Sequence, residues 1–147
     1  MAVRTWYHVA VVRIGQVFTM YINGVSAGST TNIATRSALS VNTTFGDYYS
    51  SGGTLPASGS SGFLGNITNA RIVKGVGVYT GNFTVPTSPL TLTQTAGTNI
   101  SAISSGSTAL LIFNTSVVTD ESTYSRVITT SGAPRVLPIS IFGYTSS

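Results

Sequence analysis

The sequence predicts an all-β protein, an antiparallel β-sandwich, and three observations carry that expectation. Thr, Ser, Val, Ile, Tyr and Phe, the residues of strands and turns, dominate over the Ala, Leu, Glu, Lys and Arg that build helical bundles. Hydrophobic residues make up 41% of the chain, more apolar mass than a disordered sequence carries. Runs rich in β-branched and aromatic residues are separated by Gly, Pro and Asn. A length of 147 residues suits one core of ordinary size. Charged residues are only 7%, against about 25% in a typical domain. Twenty-one serines and 23 threonines supply hydroxyls where other surfaces carry ions.

Residues 5–13, Thr-Trp-Tyr-His-Val-Ala-Val-Val-Arg, read as the first strand. Alternation puts Trp6, His8, Ala10 and Val12 on one face and Tyr7, Val9, Val11 and Arg13 on the other. Neither face is polar, which predicts cover on both sides, by a second sheet, long loops or another subunit. A turn at 14–16 leads to a strand over 17–22, and Asn23-Gly24 returns the chain over 25–29. A type I′ turn needs positive φ at both central residues, and Asn-Gly meets that need. Residues 39–45, 63–74, 110–113, 126–130 and 136–141 are the further expected strands. Residues 50–62 form a long loop of Ser and Gly, and 94–108 a linker or loop. The expected division is therefore a sandwich over 1–93, the linker over 94–108, and C-terminal strands over 109–147. Pro134 and Pro138 push those last strands toward sheet edges.

Several functions lose support at this level. With no cysteine there is no disulfide framework, thiolate metal site or cysteine nucleophile. No stretch reads as a signal peptide or reaches membrane-spanning length, so no membrane partner is expected. The net charge of +4 reflects three acids rather than a basic block: the cations are scattered, and only Arg71 and Lys74 stand close together. Nucleic-acid binding wants clustering and is not expected. His8 is the one imidazole, expected to pack beside Trp6 rather than catalyse. No nucleophile elbow is present, and the spacing of Gly75, Gly77 and Gly81 is not a dinucleotide fingerprint. Asp120 and Glu121 are adjacent, so on a strand they would face opposite ways and are expected to solvate a turn. Sequons at Asn42, Asn66, Asn82, Asn99 and Asn114 are expected by chance in a chain this rich in Ser and Thr.

Two stretches resemble a known family. Trp6-Tyr-His-Val-Ala-Val-Val-Arg13, followed by Tyr21-Ile-Asn-Gly-Val25, resembles the core of laminin-G-like, concanavalin A-like jelly-roll domains. The stretch over 63–89, with Ala70-Arg-Ile-Val-Lys-Gly75 and Tyr79-Thr-Gly-Asn-Phe-Thr-Val-Pro86, is similar to the tail of such domains from phage virion proteins. A looser likeness over 109–134 is to the segment adjoining these domains in tandem phage arrays. The family places an early group of strands ahead of the Trp strand, and this chain starts just before that strand. The resemblance thus implies a sandwich lacking its leading strands, with open edges that neighbours or residues 109–141 would fill. The Asp of the family's Ile-Asp step is replaced, since Thr68 and Asn69 follow Ile67 there, and Asn23-Gly24 replaces Asp-Gly. Asp47, Asp120 and Glu121 are too few and too dispersed for a Ca²⁺ site, so neither a metal nor a cofactor is expected. Glycosidases of this fold carry Glu-x-Asp-x-Glu on a strand, a string absent here.

The resulting expectation is a non-enzymatic structural protein of a bacteriophage particle, in capsid decoration, fibre or tail. It would be made in the host cytoplasm and act by packing against other virion subunits and its own copies. Expected contact residues are Trp6, Val136, Ile139, Ile141, Phe142 and Tyr144. The rival is a carbohydrate-binding module recognising host glycans through Asp47, Tyr48 and Tyr49, where two rings sit beside a carboxylate on a loop.

Overall fold

A computed structural model of the chain describes residues 1–33, 43–46, 63–130 and 142. The N-terminal third is an antiparallel meander: β1 (Val9–Ile14), β2 (Val17–Ile22) and β3 (Val25–Thr31), in the order β1-β2-β3. Two tight turns set the register, which pairs Val12 with Thr19 and Val9 with Ile22. Gly15, at φ +61°, takes the first central position of one turn. Asn23 and Gly24, at φ +50° and +78°, make the other, as a type I′ hairpin requires. The β2–β3 ladder slips between Met20 and Tyr21, a bulge that leaves Ala27 unpaired opposite them.

The second sheet pairs β4 (Ala70–Val73) antiparallel with β5 (Thr108–Ile112), whose five residues are all buried. Between them the chain folds tightly. Residues 94–108 form a compact loop held by bridges Gln94–Ile103 and Gly97–Ile100, then a 3₁₀ turn (Ser105–Ser107). Ile103 in that loop is buried in the core. The core joins both sheets: Val12 and Tyr21 from the meander meet Val78, Tyr79, Phe83 and Ile103, with Val73 of β4 packed against them. The protein is thus all-β with antiparallel sheets, as its composition predicts; the only helical turn among the described residues is the 3₁₀ one.

Several expected strands are shorter, each for a local reason. Residues 5–8 precede β1 because the His8 N–H is taken by Asn23 Oδ1 at 2.9 Å rather than by a ladder carbonyl. The run over 63–74 reduces to β4. Asn69 has φ +52°, which interrupts an extended chain, and its Oδ1 accepts the Leu90 N–H at 3.0 Å. Residues 126–130 form no strand, since the Arg126 N–H is bonded to Asp120 Oδ2 at 2.8 Å. Of the expected strand over 39–45, residues 43–45 are described and are not in a ladder; the one over 136–141 lies outside the described residues. Of the two faces of β1 expected to be covered, the chain itself buries one. Val12 is buried on one face, while Val9 and Val11 stand exposed on the other.

Candidate functional site

The covered face of the meander carries an aromatic cluster. Tyr79 and Phe83 stack with ring centroids 3.6 Å apart and planes 3° from parallel. Tyr21 meets both edge-on, at 6.2 and 5.5 Å. His8 does the same at 6.0 and 5.5 Å, so its ring partners are these two side chains rather than Trp6. The Asn-Gly turn locks the cluster from below, because the Phe83 N–H donates to Gly24 O at 2.9 Å. His8 Nδ1 is buried without a hydrogen-bond partner. Burial, and then the nearby Arg71 charge, push the His8 pKa below its ordinary value.

Arg71 reaches inward from β4. Its guanidinium donates to Thr91 O at 2.9 Å and Gln94 Oε1 at 2.6 Å, and its charge acts on the Tyr79 hydroxyl. Burial pushes the Arg71 pKa down and the Tyr79 pKa up, each partly opposed by the other. Arg71 is therefore committed to internal bonds, and with Lys74 it makes no surface pair of cations.

Beside the cluster lies a cleft of about 180 Å³, lined by Val12, Ile14, Val17, Thr19, Tyr21, Tyr79 and Thr80. Tyr21 and Tyr79 are buried, so the cleft offers aliphatic surface and two hydroxyls rather than open ring faces. The other face of the meander is more conspicuous. The register places Val9, Val11, Phe18, Met20, Ile22 and Val25 together there. Of these, Val9 is 49%, Val11 65%, Met20 38% and Val25 58% exposed. Arg13 lies over the Phe18 ring, 5.3 Å from its centroid. Alternation signalled the members of this face; only the fold shows that it stays open.

Asp120 does more than solvate a turn. Oδ1 accepts the N–H groups of Leu111 (3.1 Å) and Ser122 (2.9 Å), while Oδ2 accepts the Ser122 hydroxyl (2.8 Å) and the Arg126 N–H. Desolvation raises its pKa, but these four hydrogen bonds outweigh it and hold the carboxyl below the ordinary range. Glu121 N donates to Leu111 O at 2.8 Å, and Arg126 Nε to Ala109 O at 3.0 Å. Segment 120–126 thus seals the outer edge of β5. The sequence signal was Asp-x-Ser, an Asx-type turn whose carboxylate bonds the backbone two residues on.

Of the residues singled out from sequence, Trp6 is exposed just ahead of β1 and Phe142 is half-buried. Asp47, Tyr48, Tyr49, Val136, Ile139, Ile141 and Tyr144 lie outside the described residues. Among the described residues no three metal-ligating side chains come together, and no helix is long and apolar enough to cross a membrane.

A twisted meander closing an aromatic core against a second antiparallel sheet defines an all-β domain of the concanavalin A-like sandwich class. Residues 1–79, just over half of the chain, match the laminin-G-type profile of the concanavalin A-like lectin/glucanases superfamily, and the chain belongs to that superfamily. No curated protein and no solved structure matches it significantly.

Proposed function

We propose that this protein is a non-enzymatic packing module of a bacteriophage particle, serving in capsid decoration, fibre or tail. One observation carries the reading: a sheet face bearing Val9, Val11, Met20 and Val25 stands in solvent. Exposed apolar surface of this kind marks interaction sites, and a chain with 7% charged residues has little electrostatic protection against association. The likeness of 63–89 to the tail of phage virion domains supplies the setting. Its partners would be other virion subunits and further copies of itself, assembled after synthesis in the host cytoplasm. The described carboxylates fit this role, since Asp120 is spent on backbone N–H groups and Glu121 accepts the Thr119 hydroxyl at 2.5 Å. Mass spectrometry of purified particles tests the reading. Recovery of the chain in fixed stoichiometry with the shell or tail proteins is expected, and its absence from intact particles overturns the proposal.

A second reading, carbohydrate recognition, draws on membership of a superfamily that includes lectins and on the Thr19 and Thr80 hydroxyls of the cleft. Its binding loop would be Asp47, Tyr48 and Tyr49. Titration with diverse glycans, and loss of any signal in Tyr48→Ala and Tyr49→Ala, would favour it over packing.

A further inference from the structure

The two outer strands of the meander and the outer edge of β5 differ in how their backbone is occupied. On β5, the N–H and carbonyl of Leu111 and the carbonyl of Ala109 are taken by Asp120, Glu121 and Arg126. On β3, a bulge and Gly28 at φ +144° break the regular edge, and the Ser26 N–H is taken by Asn82 Oδ1 at 2.9 Å. β1 is regular from end to end.

The phase of its ladder follows from one bond. Asn23 N donates to His8 O at 2.8 Å, so His8 faces β2 as a hydrogen-bonded residue. Antiparallel ladders alternate. Ala10, Val12 and Ile14 therefore bond to β2, and the N–H and carbonyl groups of Val9, Val11 and Arg13 point away from the sheet.

That spacing is self-complementary. An antiparallel strand bonding to the edge must present outward groups at the same alternate positions, and a second β1 does so when Val11 meets Val11. Val9 then pairs with Arg13 of the other copy, and each pair exchanges two backbone bonds. We infer that β1 is the seam of a symmetric dimer, joining two meanders into one continuous sheet about a two-fold axis at Val11. The proposal deepens the packing reading and rests on it for its biological setting.

Side chains and charge agree with this occupant. Val9 and Val11 stand on the exposed face, so the seam extends that apolar surface across both copies. Arg13 is the one charged residue on the strand. Its Nε is held by Gly15 O at 2.9 Å and its guanidinium lies over Phe18, which keeps it off the edge. In the paired register the two Arg13 residues lie four positions apart along the seam, roughly 14 Å, beyond the screening length at physiological salt.

The test uses the full chain. Light scattering at micromolar concentration is expected to give the mass of two chains. Val11→Pro deletes an outward N–H without touching the β1–β2 ladder, and is expected to halve that mass while keeping a β-sheet circular dichroism spectrum. Since the chain has no cysteine, Val11→Cys gives a clean cross-link: paired Cα atoms about 5.5 Å apart lie within disulfide reach. It should oxidise to a covalent dimer, while Ser29→Cys on β3 stays monomeric. Should Val11→Pro fail to fold, the cysteine variants decide. A single-chain mass for the unmodified protein, an undiminished mass for a folded Val11→Pro, or equal cross-linking at 11 and 29 would overturn the seam. A chain present in particles but monomeric refutes the seam alone; one dimeric through β1 but absent from particles refutes only the virion role.

Discussion

Gly15 and Gly24 offer a controlled comparison, because both have positive φ and only one is crowded. An added Cβ at Gly15 meets nothing within 4 Å, whereas at Gly24 it would lie 2.0 Å from the carbonyl oxygen of Phe83. Gly15→Ala therefore incurs backbone strain alone, about 1 kcal/mol for an L-residue in the left-handed region. Gly24→Ala incurs the same strain and must also push Phe83 away. That forfeits the Phe83 N–H bond to Gly24 O, worth about 1 kcal/mol, and displaces a ring stacked on Tyr79, an overpacking cost of about 1–3 kcal/mol. The expected losses are about 1 kcal/mol at Gly15 and about 3–5 kcal/mol at Gly24. At roughly 3 °C per kcal/mol for a chain of this size, the melting temperature falls by about 3 °C in one variant and by about 10 °C or more in the other. Urea unfolding followed by circular dichroism reads both midpoints. Equal losses would refute the close approach of the hairpin to Phe83.

Four further outcomes are expected. Asp120→Ala leaves the Leu111 N–H without its acceptor and should cost about 2 kcal/mol in urea unfolding, hydrogen bonds to a charged group being worth about 1.5–3 kcal/mol. Because the folded-state pKa of Asp120 is depressed, its contribution is complete above the unfolded value of about 3.9 and is lost as pH falls below it; Asp120→Asn should flatten that acid limb of the stability profile. The pKa of His8 is likewise lowered on folding, but for a base this means that the unfolded chain takes up the proton first. Stability should fall as pH drops below about 6.5, and His8→Phe, which also removes the unpartnered Nδ1, should abolish that fall without loss at neutral pH. Ile103→Ala should cost about 2–5 kcal/mol, the price of a cavity in a shared core; a cost under about 0.5 kcal/mol would show that the loop over 94–108 folds apart from it.

The class of fold was legible because it depends on local chemistry. Asn23-Gly24 between β-rich runs specifies a hairpin without reference to the rest of the chain, and the strands on either side follow from it. Strand ends were less legible. At His8 and Arg126 the decision rests on which acceptor takes a backbone N–H, and those acceptors, Asn23 and Asp120, are brought up by turns. The Phe83–Gly24 contact joins residues almost sixty positions apart, a proximity no local pattern contains.

Alternation along 9–14 determined by itself which side chains share a face, because the period of a strand is a property of its covalent geometry. It could not determine which face would be covered, since both are apolar and burial depends on what else the chain brings near. Tertiary structure made that choice: the loop carrying Tyr79 and Phe83 packs beneath Ala10 and Val12, and the opposite face, with Val9 and Val11, is left to solvent. The same asymmetry separates the two kinds of polar residue. The scarcity of charge is plain in the composition, but that Asp120 and Arg71 serve the backbone and the core follows only from the groups folding sets beside them.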